Sequence, residues 1–345
     1  MAVATGQRRS LRGRSGRATA AALALVLLGL SFVSLLVGYP TLSPAGLGEI
    51  LVGGGDELPR LVVTELRLPR LALGVMAGAA LAGAGVLMQD SLRNPLAGPE
   101  LLGLSSGAVT VVAALTVFEL SVPLVLYPWF ALAGGAAGSA LVLGAMAGTR
   151  GWNSPALLIL VGAAVAALLG AAVVAIVRLG SPNDQQLVLS FLLGSVGGTT
   201  WVDVRVAAPW LAVGLPLALV AGRPVNLLQL GEEVAESMGL AAARTRVLVL
   251  VLSAALVAPV VAVAGAIGFV SLLAPHVARR LLRTPDARRV LPAAMLVGAV
   301  LLVGADLVAR QLLAPRELPV GVWTTLIGGP VLLVMLRRQL GGANR

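Results

Sequence analysis

Asp306 and Arg310 stand four residues apart within an apolar run. At that spacing two helical side chains meet as an ion pair. An acid inside a hydrophobic segment is the group a proton- or sodium-coupled carrier needs. Here the arginine that follows neutralises it, so the pair reads as structural or as part of a docking surface. His276, the single histidine, follows Pro275 in a Gly/Pro-broken stretch and reads as a packing or capping residue. One histidine and no cysteine leave no ligand set for a zinc-type site and no thiolate nucleophile. The chain has no lysine, so a phosphate loop of the form Gly-x-x-x-x-Gly-Lys-Ser/Thr cannot exist in it. If ATP drives this protein, another chain must hydrolyse it. No nucleophile is paired with a base. No catalytic residue, cofactor or metal is expected.

Four further constellations could carry work of a mechanical kind. The stretch GEEVAESMGL, Gly231 to Leu240, puts Glu232, Glu233 and Glu236 near the start of a short helix, where carboxylates favour the positive end of the dipole. Gly239 can end that helix. It is either a well-capped surface helix or a docking helix. Arg67 and Arg70 sit three apart before one apolar run, and Arg310 ends another. The guanidinium fork binds a carboxylate through two hydrogen bonds, so these arginines are interfacial anchors or docking points. The stretch GSVGGTTW, Gly194 to Trp201, is too rich in glycine for a stable helix, since each glycine costs about 1 kcal/mol against alanine. It is a flexing element or a plain turn with an interfacial Trp201. The stretch RNPLAGPELLGLSSGA, Arg93 to Ala108, joins two apolar runs through two prolines, with Asn94 and Ser105 able to satisfy loose backbone groups.

The elements that must position these groups lie in lipid. Of 345 residues 58% are hydrophobic and 12% charged, and mean hydropathy is +0.97. Soluble domains carry about 25% charged residues. Ten apolar runs are long enough, or nearly so, to cross a bilayer: 20–38, 70–89, 105–120, 124–148, 155–178, 207–222, 246–264, 266–281, 291–310 and 320–336. The sixth and eighth are short, and the eighth contains Pro275. The expected fold is an all-α integral membrane protein. A basic arm, 1–19, precedes a single polytopic domain, 20–338, and a tail, 339–345. With the N-terminus in the cytoplasm, 18 arginines fall inside and 7 outside, as the positive-inside rule requires. Both termini are then cytoplasmic. The net charge of +10 is spread between apolar runs, not gathered on a soluble basic face, so membrane topology explains it better and no nucleic-acid partner is expected.

Read together, the motifs resemble the FecCD-type permeases, which import ferric siderophores, haem and cobalamin. The resemblance is carried by RLPR (67–70), by GAALAGAGVLMQDSLRNPLAGPELLGLSSGA (78–108), by GSVGGTTW and by GAIGFVSLLAPHVAR (265–279). ADLVAR (305–310) and ELPVGVWTTLIGGP (317–330) continue it, in order, over roughly residues 20–338. Ala266 departs from a frequent proline, and Asp90 is an unusual neighbour for Gln89. The resemblance implies ten helices and a type II ABC importer architecture. It also implies a second permease, identical or related, two ATP-binding subunits and an extracytoplasmic binding protein. In that frame Arg67, Arg70 and Arg310 meet glutamates of the binding protein. Glu232, Glu233, Ala235, Glu236 and Gly239 form the coupling element to the ATPase. Asn94 lies near the inner gate. Gly194, Ser195, Gly197, Gly198, Thr199 and Trp201 belong to a short helix at the outer mouth that moves with gating. An ion-coupled carrier remains the alternative, and haem or cobalamin the alternative cargo.

Overall fold

The computed structural model describes residues 2–147, 155–312 and 317–342. Arg150, Arg316 and Arg345, counted above, lie outside them. The described residues form helices and connections, with no strand. In chain order the helices are α1 (Ala2–Leu36), α2 (Pro44–Leu51), α3 (Glu57–Leu61), α4 (Leu68–Ser91) and α5 (Leu104–Val117). Then come α6 (Tyr127–Met146), α7 (Pro155–Leu179), α8 (Pro182–Leu193), α9 (Trp201–Val220) and α10 (Gly222–Gln229). The last five are α11 (Glu232–Ser237), α12 (Ala242–Ala264), α13 (Val270–Leu282), α14 (Ala287–Gln311) and α15 (Val320–Gly342).

Each of the ten apolar runs coincides with one helix: α1, α4, α5, α6, α7, α9, α12, α13, α14 and α15. Among the described residues, seven helical stretches are long and apolar enough to cross a membrane, and α5 and the apolar part of α15 are shorter. Two expectations change. The sixth run is not short, because α9 starts at Trp201 and spans 20 residues. Asp203 and Arg205 in its first turns hid that start from a search for apolar residues. The eighth is shorter still, since α13 has 13 residues and covers about 20 Å at 1.5 Å per residue. The second run is also preceded by helix without interruption, through α3 and a π-turn at Val62–Arg67.

Helix α4 is the hub and packs on α14, α12, α13 and α9. Its sequence explains this. Gly74, Gly78 and Ala82 recur every four residues, the small-residue pattern that lets lipid-embedded helices touch backbone to backbone. A Cβ on Gly78 would overlap the Gly298 carbonyl of α14, and a Cβ on Gly85 the Ser271 carbonyl of α13. At 24 residues, α4 runs about 36 Å. It therefore links two polar clusters at its opposite ends.

Candidate functional site

Between those ends four helix termini meet. α8 stops at Leu193, because Gly194 takes φ +72°. α12 stops at Gly265, with φ +70°, and α13 begins after Phe269, held at φ +65°. α15 starts at Val320. Broken backbone inside a bilayer must find internal partners, and each segment supplies the next. The Ser195 amide donates to Ala264 O at 2.8 Å, the Ala266 amide to Phe191 O at 3.2 Å, and the Gly321 amide to Gly194 O at 3.0 Å. A proline at 266 could not make its bond, so the departure at Ala266 has a local role. The backbones touch. A Cβ on Gly194 would strike Ala266 O, one on Gly265 Phe191 O, and one on Gly321 Leu193 O.

This junction separates two similar glycines. Gly198 has φ +73° but open space around it. Alanine there bears only backbone strain, about 1–2 kcal/mol. Gly194→Ala adds the overlap with Ala266, worth about 1–3 kcal/mol more. The thermal midpoint of purified protein should fall further for Gly194→Ala than for Gly198→Ala. Equal falls would mean that the junction yields easily.

A cavity of about 360 Å³ opens against the junction. Leu192, Leu193, Ala266, Ile267, Val322 and Leu326 give it apolar walls, and Glu100, Ser105 and Thr325 give it polar groups. Of the stretch GSVGGTTW, only Trp201 is helical; the short helix that follows α7 is α8, ahead of it. The expectation of a helix in that stretch is thus corrected, and its glycines are the reason. Ser195 accepts the Gly197 amide, and Thr199 donates to Val196 O, so both shape the turn locally. Trp201 donates from Nε1 to Thr64 O at 2.8 Å and ties the link to the segment before α4.

At the α4 N-terminal end the three singled-out arginines come together. Arg70 bonds Asp306 through Nε and Nη2, the shortest contact being 2.8 Å, and Glu317 through Nη1 at 2.8 Å. Arg310 lies 3.4 Å from Asp306 and bonds the Ser34 hydroxyl at 2.6 Å. Arg67 is buried, and its guanidinium donates to Leu35 O, Leu36 O and Pro40 O, which closes the end of α1. All three are engaged within the chain. Gly197 lies beside Glu317 and Arg70, so the arginine group and the glycine link form one site.

The other end of α4 carries a second polar cluster. α11 seats Ala235 in a small apolar cluster with Leu228 and Ala242, leaving Glu233 and Glu236 exposed. Gly239, at φ +84°, ends it as expected. Glu232 pairs with Arg246 of α12, whose Nε donates to Ser91 O at the end of α4. Asp90 pairs with Arg279 of α13 at 2.7 Å, and Arg279 also donates to Gln89. Gln89 in turn donates to Ser271 O. Nearby, Asn226 of α10 donates to Asp286 at 2.6 Å, before α14. Burial pushes the Asp286 carboxyl up, but hydrogen bonds from Arg288 and Asn226 outweigh it and hold the group below its ordinary range. Asn94 stands apart from the cavity. Its side chain accepts the Leu96 amide at 2.9 Å and shapes a turn.

Sequence reasoning missed Glu100, Arg246 and Glu317. Glu100 was in view within a motif, and Arg246 was counted as a loop charge although it is 2% exposed. Among the described residues no group of three His, Cys, Asp or Glu could hold a metal.

The chain is 36% identical over 316 residues to the Fe(3+)-citrate import system permease protein YfmE of Bacillus subtilis, covering 91% of this chain and 93% of that one. It is 41% identical over 279 residues to the hemin transport system permease protein HmuU of Yersinia pestis, covering 80% and 83%. The cobalamin import system permease protein BtuC of Halobacterium salinarum is 41% identical over 285 residues, covering 82% and 75%. A metal-chelate type ABC transporter solved in an inward-facing conformation superposes with a TM-score of 0.81 at 30% identity, covering 92% of this chain and 98% of that one. The family model described as the FecCD transport family matches residues 25–338, and the chain belongs to that family.

Proposed function

We propose that this chain is the membrane-spanning subunit of an ATP-driven importer for a metal chelate, a ferric siderophore in the first place. One arrangement carries the reading: two polar clusters at opposite ends of α4, with a cavity of broken helices between them. The Arg70 end faces outward and receives a binding protein. Arg67 and Arg310 hold the end of α1 there, and a partner carboxylate meets Arg70 in competition with Glu317, which is 46% exposed at its side chain. Such contacts mainly set encounter rate and register. The α11 end is cytosolic. Glu233, Glu236 and the α11 surface meet the ATPase subunit, and the Glu232–Arg246 contact carries its motion to Ser91 of α4. A second permease subunit, identical or related, completes the pathway, and two ATP-binding subunits drive it. Gly194 to Trp201 and Asn94 shift as the pathway opens at either side. Both termini are cytoplasmic in a multi-pass cell-membrane protein, and residues 20–338 act as one permease domain. Relatives named for iron citrate, hemin and cobalamin keep those cargo classes as alternatives.

Reconstitution tests it. In proteoliposomes holding the permease, its ATPase subunits and the loaded binding protein, uptake of ferric chelate should require ATP, and ATPase activity should rise with loaded binding protein. Accumulation by the permease alone, driven by a proton or sodium gradient, would reject it in favour of a secondary carrier.

A further inference from the structure

We propose that Glu100 is a recognition site in the cavity wall for a cationic substituent, an ammonium group, on the transported chelate. The inference rests on the permease reading above. Three observations carry it. First, the principal acids packed into the helical body pair with arginine: Asp90 with Arg279, Asp306 with Arg70 and Arg310, and Glu232 with Arg246. Glu100 differs from them: it is exposed, lines the cavity and makes no ion pair among the described residues. Second, its position is built. Ser271 Oγ donates to Oε1 at 3.0 Å, and the other oxygen lies over Gly98, where a Cβ would overlap it. Third, the rest of the cavity wall is mostly apolar, with Leu193, Val322 and Leu326 among its lining.

The chemistry follows. Glu100 is exposed on the cavity side, and the apolar walls beside it leave a carboxylate there less screened than in open water. One placed polar group in an apolar pocket fixes the orientation of a ligand. A single carboxylate in a cavity also lined by Ser105 and Thr325, which bear hydroxyls, suits an N–H₃⁺ group, which offers three donors. The same donor set is too small for a bare metal ion. The volume, about 360 Å³, lies at the low end of small-molecule sites, so it suits one amine-bearing arm of a chelate, not the whole chelate.

The probes are ferrioxamine B, a ferric chelate bearing one free ammonium group, and its N-acetylated neutral form. Binding to the purified permease–ATPase complex is measured by calorimetry, without binding protein. The charged chelate should bind about tenfold or more tightly than the neutral one, the effect of one charge-assisted hydrogen bond. Glu100→Gln should abolish that preference. Glu100→Asp, which keeps the charge, should retain part of it. Equal binding of the two chelates, no binding of either, or a preference that survives in Glu100→Gln overturns the proposal. Failure of ATP-driven uptake in the reconstitution above is a separate reading and bears on the transport function alone.

Discussion

Asp306→Asn is expected to destabilise the permease by about 3–5 kcal/mol, the cost of breaking a buried pair from one side. Asp306 is 5% exposed and serves two arginines, Arg70 at 2.8 Å and Arg310 at 3.4 Å, whose side chains are themselves 13% and 8% exposed. Asparagine keeps an acceptor oxygen and nearly the same shape. What it removes is charge, leaving two close guanidinium groups with less negative charge between them. Glu317 still holds Arg70 from the exposed side, and Ser34 still holds Arg310, so the chain need not unfold. Three arms test the cause. Arg310→Met alone should cost less, because it removes one of the two cations. Arg310→Met combined with Asp306→Asn should cost less than the sum of the two, because the excess positive charge is gone. Varying salt from about 0.05 to 0.5 M should change the effect little, since buried pairs are poorly screened. The readout is unfolding of detergent-purified protein. A loss under about 1 kcal/mol, the range of exposed pairs, would show that water reaches this cluster.

The reach of sequence reasoning follows from what is local and what is not. Apolar runs are local, and ten of them marked ten helices. The positive-φ stop at Gly239 was visible as glycine after a helical stretch, and Gly265 falls between two of the apolar runs; the stop at Gly194 was not, because no apolar run marks α8 ahead of it. Asp306 and Arg310, four apart, showed their pairing because a helix brings i and i+4 together. Arg70 and Asp306 are 236 residues apart, and no periodicity reports that two helix ends meet. Arg67 was visible as a charge, but its job depends on where α1 ends and on Pro40 turning back toward it. Arg246 misled for a related reason. It sits in the first turns of α12 and looks like a loop cation, but α11 folds over it and Glu232 reaches it. Glu100 stood within a quoted motif but was given no role, because its place on the cavity wall and its lack of an ion pair among the described residues are written only in three dimensions. Asp90 stood out as an odd neighbour for Gln89. The structure explains it by Arg279, which grips both side chains.

The second large effect lies at the contact between α4 and α14, where Gly78→Ala should cost about 2–3 kcal/mol or more. Two other glycines of the same helix, whose new Cβ atoms would also meet α14, make the comparison clean. All three substitutions gain helix propensity, about 1 kcal/mol each. At Gly74 the new Cβ would sit 3.6 Å from a Val303 methyl, an ordinary contact. At Gly83 it would meet the terminal methyl of Met295 at 2.8 Å. That methyl ends an unbranched, flexible side chain, which can turn away. At Gly78 it would meet the Gly298 carbonyl and the Ala299 Cα, and neither can move unless α14 moves as a whole. Gly74→Ala should therefore be neutral or stabilising, Gly83→Ala near neutral, and Gly78→Ala strongly destabilising. The consequence extends to coupling, because α14 carries Asp306 at one end and follows Asp286 at the other. Separating it from α4 strains the Arg70 cluster and loosens the path from α11 to the cavity together. In the reconstituted complex Gly78→Ala should then lower ATP-driven uptake more than basal ATP hydrolysis. If the three alanine variants instead unfold at the same temperature, backbone contact is not what holds α4 to α14, and the hub must be held by its side chains.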